Sequence, residues 1–264
     1  MAKSKNEVAE TSANDVALYD YGEEYAGAGT EEQSAADTSI PFLKIGQTLT
    51  PQVRDRKLEE GEFFNSVTEE VYGSDVTFVP VYTRNVYVKW KPERGGYLGE
   101  LPIESPEVKV AVANAKKFNE VKDAEGNDLE ETFYVWGLLV TDVDSGDAEP
   151  IVMAFTSTQI KAYRKMNTSL LGAKGASKRP LFANLITWSS EKREKGNNVW
   201  YTPKMSPAKG DVLDSLLPPG HPLLEMAKGL YELVKKGEAQ ANYESSREES
   251  VKDADVADPS EAPF

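Results

Sequence analysis

The chain of 264 residues contains no cysteine and a single histidine, His221. The first absence excludes disulfides, thiolate metal ligands and cysteine nucleophiles, and the second removes most histidine-based catalysis and ligation. Uncharged apolar stretches run to only a handful of residues, so no membrane span is expected. The opening Met-Ala-Lys-Ser-Lys-Asn-Glu lacks the apolar segment of a secretory signal, and a soluble cytoplasmic protein is the expectation. Apolar types reach 39% and aromatics 9%, with a mean hydropathy of −0.51. That is enough for a sizeable core but below the average for a chain folded along its whole length.

What the chain has in quantity is charge. Acids outnumber bases by 44 to 30, for a formal charge of −14, but the imbalance is uneven. Residues 1–40 hold nine acids against Lys3 and Lys5, and residues 238–264 hold eight against Arg247 and Lys252. Residues 41–237 are nearly neutral, with 27 acids and 26 bases. Within them, residues 161–209 carry eleven bases and only Glu191 and Glu194 as acids. These shifts divide the chain into a disordered acidic N-terminal tail (1–39), a folded domain (40–237) and a disordered acidic C-terminal tail (238–264).

Val76–Tyr82 and Asn85–Lys91 are β-rich runs separated by Thr83-Arg84 that read as a hairpin or a close pair of strands, with Pro80 marking an edge or bulge. In the second run Val86, Val88 and Trp90 share one face while Tyr87, Lys89 and Lys91 share the other. Val108, Val112, Ala115 and Phe118 predict a helix over 107–120. Thr132–Thr141 and Ile151–Phe155 predict two central strands joined by an Asp-rich turn. Ser157 is placed to cap an amphipathic helix to Leu171, with Lys161, Arg164 and Lys165 on its polar side. Leu181–Ser190 and Asn198–Met205 predict a hairpin across the charged turn 191–197. Leu223, Met226, Leu230 and Leu233 predict a last helix beginning at Pro222, with His221 as a cap or a surface residue. The expected fold is α+β, mainly antiparallel, an OB-like small barrel with inserted helices.

Single-stranded nucleic acid is held without sequence readout by cations that follow the phosphates and rings that stack on unpaired bases. Tyr87 with Lys89 and Lys91, and Trp200 with Lys204, supply both on faces read as outward. Arg84, Arg94, Tyr97, Lys161, Arg164, Lys165, Lys174, Lys178, Arg179, Lys192 and Arg193 extend the track, and Trp188 is left between core and surface. Acidic tails also solubilise, lysine-rich stretches are also ordinary solvated surface, and for any single ring a core role competes equally with stacking. Trp90 and Trp136, within apolar faces, are assigned to the core. No catalytic residue, metal site or cofactor is read from the chain. Asp142, Asp144 and Asp147 lack the later glutamate of a calcium loop, and Gly172-Ala-Lys-Gly175 lacks the residue order of a phosphate-binding loop.

The carboxyl end, Val251-Lys-Asp-Ala-Asp-Val-Ala-Asp-Pro-Ser-Glu-Ala-Pro-Phe264, is acidic and finishes in Pro-Phe. It resembles the tails of bacterial single-stranded DNA-binding proteins, whose acidic tips end in Pro-Phe, and of T7-like phage counterparts with a terminal Phe. The resemblance covers about the last dozen residues. It implies an OB-fold groove for single-stranded DNA, action in phage DNA replication or recombination, and recruitment of replication and recombination proteins. Those partners would be met through Asp253, Asp255, Asp258, Glu261, Pro263 and Phe264. Ile40-Pro-Phe-Leu-Lys-Ile-Gly-Gln47, Gly61-Glu-Phe-Phe-Asn-Ser66 and Phe155-Thr-Ser-Thr-Gln159 also look like segments of tailed-phage proteins, with no function attached. The rival readings are a metal-dependent nuclease or DNA-processing accessory enzyme, and a non-enzymatic virion or host-takeover protein. The residues leave open whether the chain forms a homo-oligomer.

Overall fold

From Ile40 the chain forms a small antiparallel sheet of β1 (Leu43–Ile45), β2 (Phe63–Asn65) and β3 (Val71–Gly73), with the short helix α1 (Pro51–Arg54) between the first two strands. These elements come from a computed structural model that describes residues 39–92, 96–117, 120–239 and 241. Nearly all of both acidic tails falls outside those residues, as do Arg94 and the six expected tip residues. Ala241 is described, and it is buried in a bridge to Ile40 beyond the expected boundary at 237.

The next segment does not turn at Thr83-Arg84. Asp75 to Trp90 is one 16-residue strand, β4, that pairs along its length with β6 (Asp128–Asp142). Neither Thr83 nor Arg84 supplies the Gly, Asn or Asp that a two-residue turn requires, so nothing interrupts the ladder. Pro80 lies beside a register shift between Pro80 and Tyr82, just past the last pair with β8 (Ile186–Lys195), Phe78 with Ile186. The missing N–H of Pro80 therefore falls where the ladder is already irregular.

The far half of β4 carries β5 (Tyr97–Pro102) on its other edge, β7 (Asp147–Thr156) flanks β6, and β9 (Asn198–Pro207) flanks β8. The result is mixed α+β and mostly antiparallel. Among the described residues no ladder joins β7 to β9, so the six-stranded sheet is open in its hydrogen bonding. The β8–β9 turn is shorter than expected. Gly196, at a φ of +59°, and Asn197 close it, which leaves Glu191 to Lys195 within the strand.

Helix α2 (Pro106–Asn114) is capped by Ser105, which accepts the Val108 N–H, and it ends before Phe118, leaving Val112 exposed. Before α3 (Ile160–Leu171) comes a 3-10 turn, Ser157–Gln159. Ser157 is not the cap expected of it, because its φ is +47°, in the left-handed region. Helix α4 (Pro222–Lys236) starts as expected, with the His221 Nδ1 accepting the Leu223 N–H, and stops at Gly237. Its buried stripe is Leu223, Ala227 and Leu230, and Met226 and Leu233 face outward.

The main core lies between the sheet, the small β1–β3 sheet and α3. Phe63, Phe78, Phe155, Met166 and Trp188 are sealed there. Trp90 and Trp136 are buried in a second cluster, as assigned. Side-chain burial of this extent is the dominant stabilising term, about 1.5–3 kcal/mol for each large apolar side chain.

Candidate nucleic-acid interface

Part of the expected site is structural. Tyr87 is 8% exposed and packed against Val108, Ala111, Val121 and Leu129, because α2 covers the strand face that alternation marked as outward. Beside it, the Lys89 ammonium contacts Asp123 at 2.6 Å, Glu107 at 3.0 Å and Glu125 at 3.7 Å. Hydrogen bonding to Asp123, then to Glu107, holds the Lys89 pKa above its ordinary value. Burial of Asp123 pushes its carboxyl up, but the bonds from Lys89 and Asn127 outweigh this and bring it down to about 2. Trp188 is fully buried in the main core, against Phe155. Tyr87, Lys89 and Trp188 are therefore withdrawn from the expected DNA-binding set: the two rings offer no free face and the lysine's charge is matched.

Several other cations are matched locally. Arg84 reaches Glu100 at 2.9 Å, Lys192 reaches Glu194 at 2.6 Å, and Arg193 reaches Glu191 at 2.7 Å, with Lys204 4.0 Å from the same Glu191. Tyr97 packs edge-on against Trp90 at 5.6 Å, and burial, then the neighbouring Glu100, pushes its hydroxyl up to about 12. Lys91 is exposed. Arg179 is half-buried and closes the 174–179 loop through Nη1 and the Lys174 carbonyl.

The helix α3 is different. Ile160, Tyr163, Met166 and Leu170 fix one side in the core, so Lys161, Arg164, Lys165 and Thr168 form an exposed stripe on the other. Lys174 and Lys178 follow in the next loop and are also exposed. None of these five cations enters an ion pair among the described residues. The expected track thus contracts to a cationic ridge over 161–178.

At the start of α3 the ridge meets a partly open cavity of about 170 Å³. Its walls come from β1, β6, β7, β9 and the end of β4, with rings from Phe42, Trp90, Tyr134, Trp200 and Tyr201. Ser157, Thr158 and Gln159 line it, as do Glu130 and Thr132 of β6. The Gln47 side-chain amide acts as a piece of strand here. It donates to the Tyr201 carbonyl at 2.9 Å and accepts the Tyr201 N–H at 2.8 Å, pinning the small sheet to the edge of β9. Trp200 is half-buried, and its indole N–H has no partner among the described residues.

Residues 8–240 match the family model described as Pam3 phage gp34-like protein. The chain belongs to that family. No curated protein and no solved structure matches it. The family name points to a bacteriophage and assigns no activity.

In this gp34-like chain the cavity was not anticipated, although its signal was present. Two of the three segments singled out as phage-like, 40–47 and 155–159, supply its walls, and Gly61 of the third packs against the Tyr201 ring. What linear sequence could not supply is their convergence. Among the described residues no group of three or more His, Asp or Glu side chains is placed to hold a metal ion, and no helix is long and apolar enough to cross a membrane.

Proposed function

We propose that this phage-family protein coats single-stranded DNA during replication or recombination, without catalysis. The reading rests on one observation: five exposed cations, Lys161, Arg164, Lys165, Lys174 and Lys178, have no carboxylate partner among the described residues and lead to a cavity walled by Trp200 and Tyr201. Phosphate neutralisation and ring stacking are the two requirements of such binding, and each stacked base contributes roughly 1–3 kcal/mol. An OB-like groove is the finer form of this proposal. The binding chemistry, phosphate neutralisation and ring stacking, does not depend on barrel closure.

In this reading the acidic tip, Asp253 to Phe264, recruits replication and recombination proteins. It also competes with DNA for the ridge, since a competitor in the same chain acts at an effective concentration on the order of millimolar. The test is a tryptophan-fluorescence titration of the full chain with oligo-dT at two salt concentrations. Trp90 and Trp200 line the cavity and Trp136 and Trp188 do not, so the first two carry the signal. Quenching that weakens with salt is expected, with tighter binding by a chain ending at Glu244. An unchanged spectrum and no retardation of labelled oligo-dT would overturn the proposal.

A further inference from the structure

Trp200 stands on a strand with one unpaired edge. β9 pairs with β8 over its whole length, and among the described residues no strand pairs with its other side. Backbone groups along an antiparallel strand point alternately to its two sides, so Val199, Tyr201 and Pro203 present theirs to the same outer edge. Pro203 has no N–H to give, which bars a regular ladder there. The Trp200 indole N–H has no partner among the described residues, so no bond of its own fixes that ring.

Gln47 takes the place of the missing strand. Its side chain, in a residue 6% exposed, accepts the Tyr201 N–H at 2.8 Å and donates to the Tyr201 carbonyl at 2.9 Å. A glutamine amide carries a donor and an acceptor side by side, as a strand backbone does. The turn behind it is set by an exchange with buried Thr50: the Gln47 N–H donates to Thr50 Oγ1 and the Thr50 N–H to the Gln47 carbonyl, both at 2.9 Å. The Tyr201 ring is held as well, because it approaches Gly61, at a φ of +87°, so closely that a Cβ there would lie 2.7 Å from it. On its other side the same segment is anchored to β7 by the bridge of Phe42 with Val152, whose N–H donates to the Pro41 carbonyl at 3.0 Å. Residues 41–47 thereby span the interval between β7 and β9, and Phe42 to Gln47 wall the cavity together with those strands.

We infer that Gln47 is a positioning residue for Trp200: by fixing the backbone of residue 201 it sets where the neighbouring indole stands in the cavity wall, beside the start of the α3 ridge. This deepens the single-stranded DNA proposal and rests on it for what the ring meets, though not for how the ring is held. Two full-length variants, each also combined with Trp200→Leu, separate the two questions. Gln47→Met keeps the length of the side chain and loses both bonds. Thr50→Val keeps the amide and removes the hydroxyl that orients its turn.

Affinity for labelled oligo-dT is measured by fluorescence anisotropy over a salt series, with thermal melting to confirm folding. Gln47→Met is expected to weaken binding about fivefold or more at an unchanged salt slope, because every ridge cation remains. In the Trp200→Leu background the same change is expected to alter affinity by less than about twofold, since the group it acts through is gone. A loss of about fivefold in that background too, or wild-type affinity in folded Gln47→Met, would overturn the inference. Should Gln47→Met fail to fold, Thr50→Val carries the same cycle. How the ring is held is read without DNA, from Trp200 emission taken as the difference between each protein and its Trp200→Leu counterpart. In Gln47→Met that difference spectrum is expected to shift to the red and to be quenched more strongly by acrylamide. An unchanged difference spectrum would overturn the positioning role, whereas the expected shift with no oligo-dT bound by any of the proteins would support it and overturn DNA coating.

Discussion

Tyr87 decides between two accounts of the β4 face. If it were a stacking ring, Tyr87→Ala would weaken oligo-dT binding about fivefold or more and leave the fold alone. The structure instead buries it to 8% exposure under α2, a nine-residue helix whose buried residues are Val108 and Ala111. Removing a buried aromatic ring costs about 3–5 kcal/mol, and the lower end applies because so short a helix can settle into part of the space. About 3 kcal/mol in a body of roughly 200 residues lowers the melting temperature by about 6–12 °C. The assay pairs differential scanning fluorimetry with oligo-dT titration of the same preparation. Tyr87→Leu, which keeps apolar packing, should recover most of the stability with unchanged DNA affinity. A normal melting temperature with a fivefold loss of affinity would refute the burial argument.

Three more outcomes follow from local geometry. Gly137→Ala places a Cβ 2.1 Å from the buried Phe78 ring and 2.5 Å from the Val79 carbonyl, so urea unfolding should show a loss of about 3 kcal/mol. Asp123→Asn should destabilise by about 2 kcal/mol at neutral pH. Its carboxyl is held down to about 2, so the wild-type advantage is complete above the unfolded pKa near 4 and fades as pH falls toward 2, where the two melting temperatures should meet. Gln47→Ala removes both bonds to the Tyr201 backbone, and hydrogen exchange at that amide should rise with a stability loss of about 2 kcal/mol.

Local rules reach the elements that carry their own punctuation. Pro222, His221 and Gly237 mark both ends of α4, and the periodicity of Ile160, Tyr163, Met166 and Leu170 fixes which side of α3 is cationic. The period-2 pattern of β4 places Val86, Val88 and Trp90 in the core correctly. It is silent on the opposite face, because alternation cannot report that a helix formed twenty residues later returns to cover Tyr87. Trp188 is undecidable from sequence for the same reason: its partners Phe155 and Met205 belong to other strands. Thr83-Arg84 reads as a turn only on the assumption that two β-rich runs need one, and neither residue has turn chemistry. The cavity draws on residues from 42 to 203, a separation over which no sequence period operates.

The central claim, that single-stranded DNA runs along α3, is most directly tested by the salt dependence of oligo-dT affinity in the full-length wild type and the Lys161→Gln, Arg164→Gln, Lys165→Gln variant. For a single strand, each phosphate left without its neutralising cation flattens the slope of log K against log salt by about 0.7. The account predicts a slope shallower by about 2 in the variant, which removes three cations. An identical slope in the two proteins would contradict it.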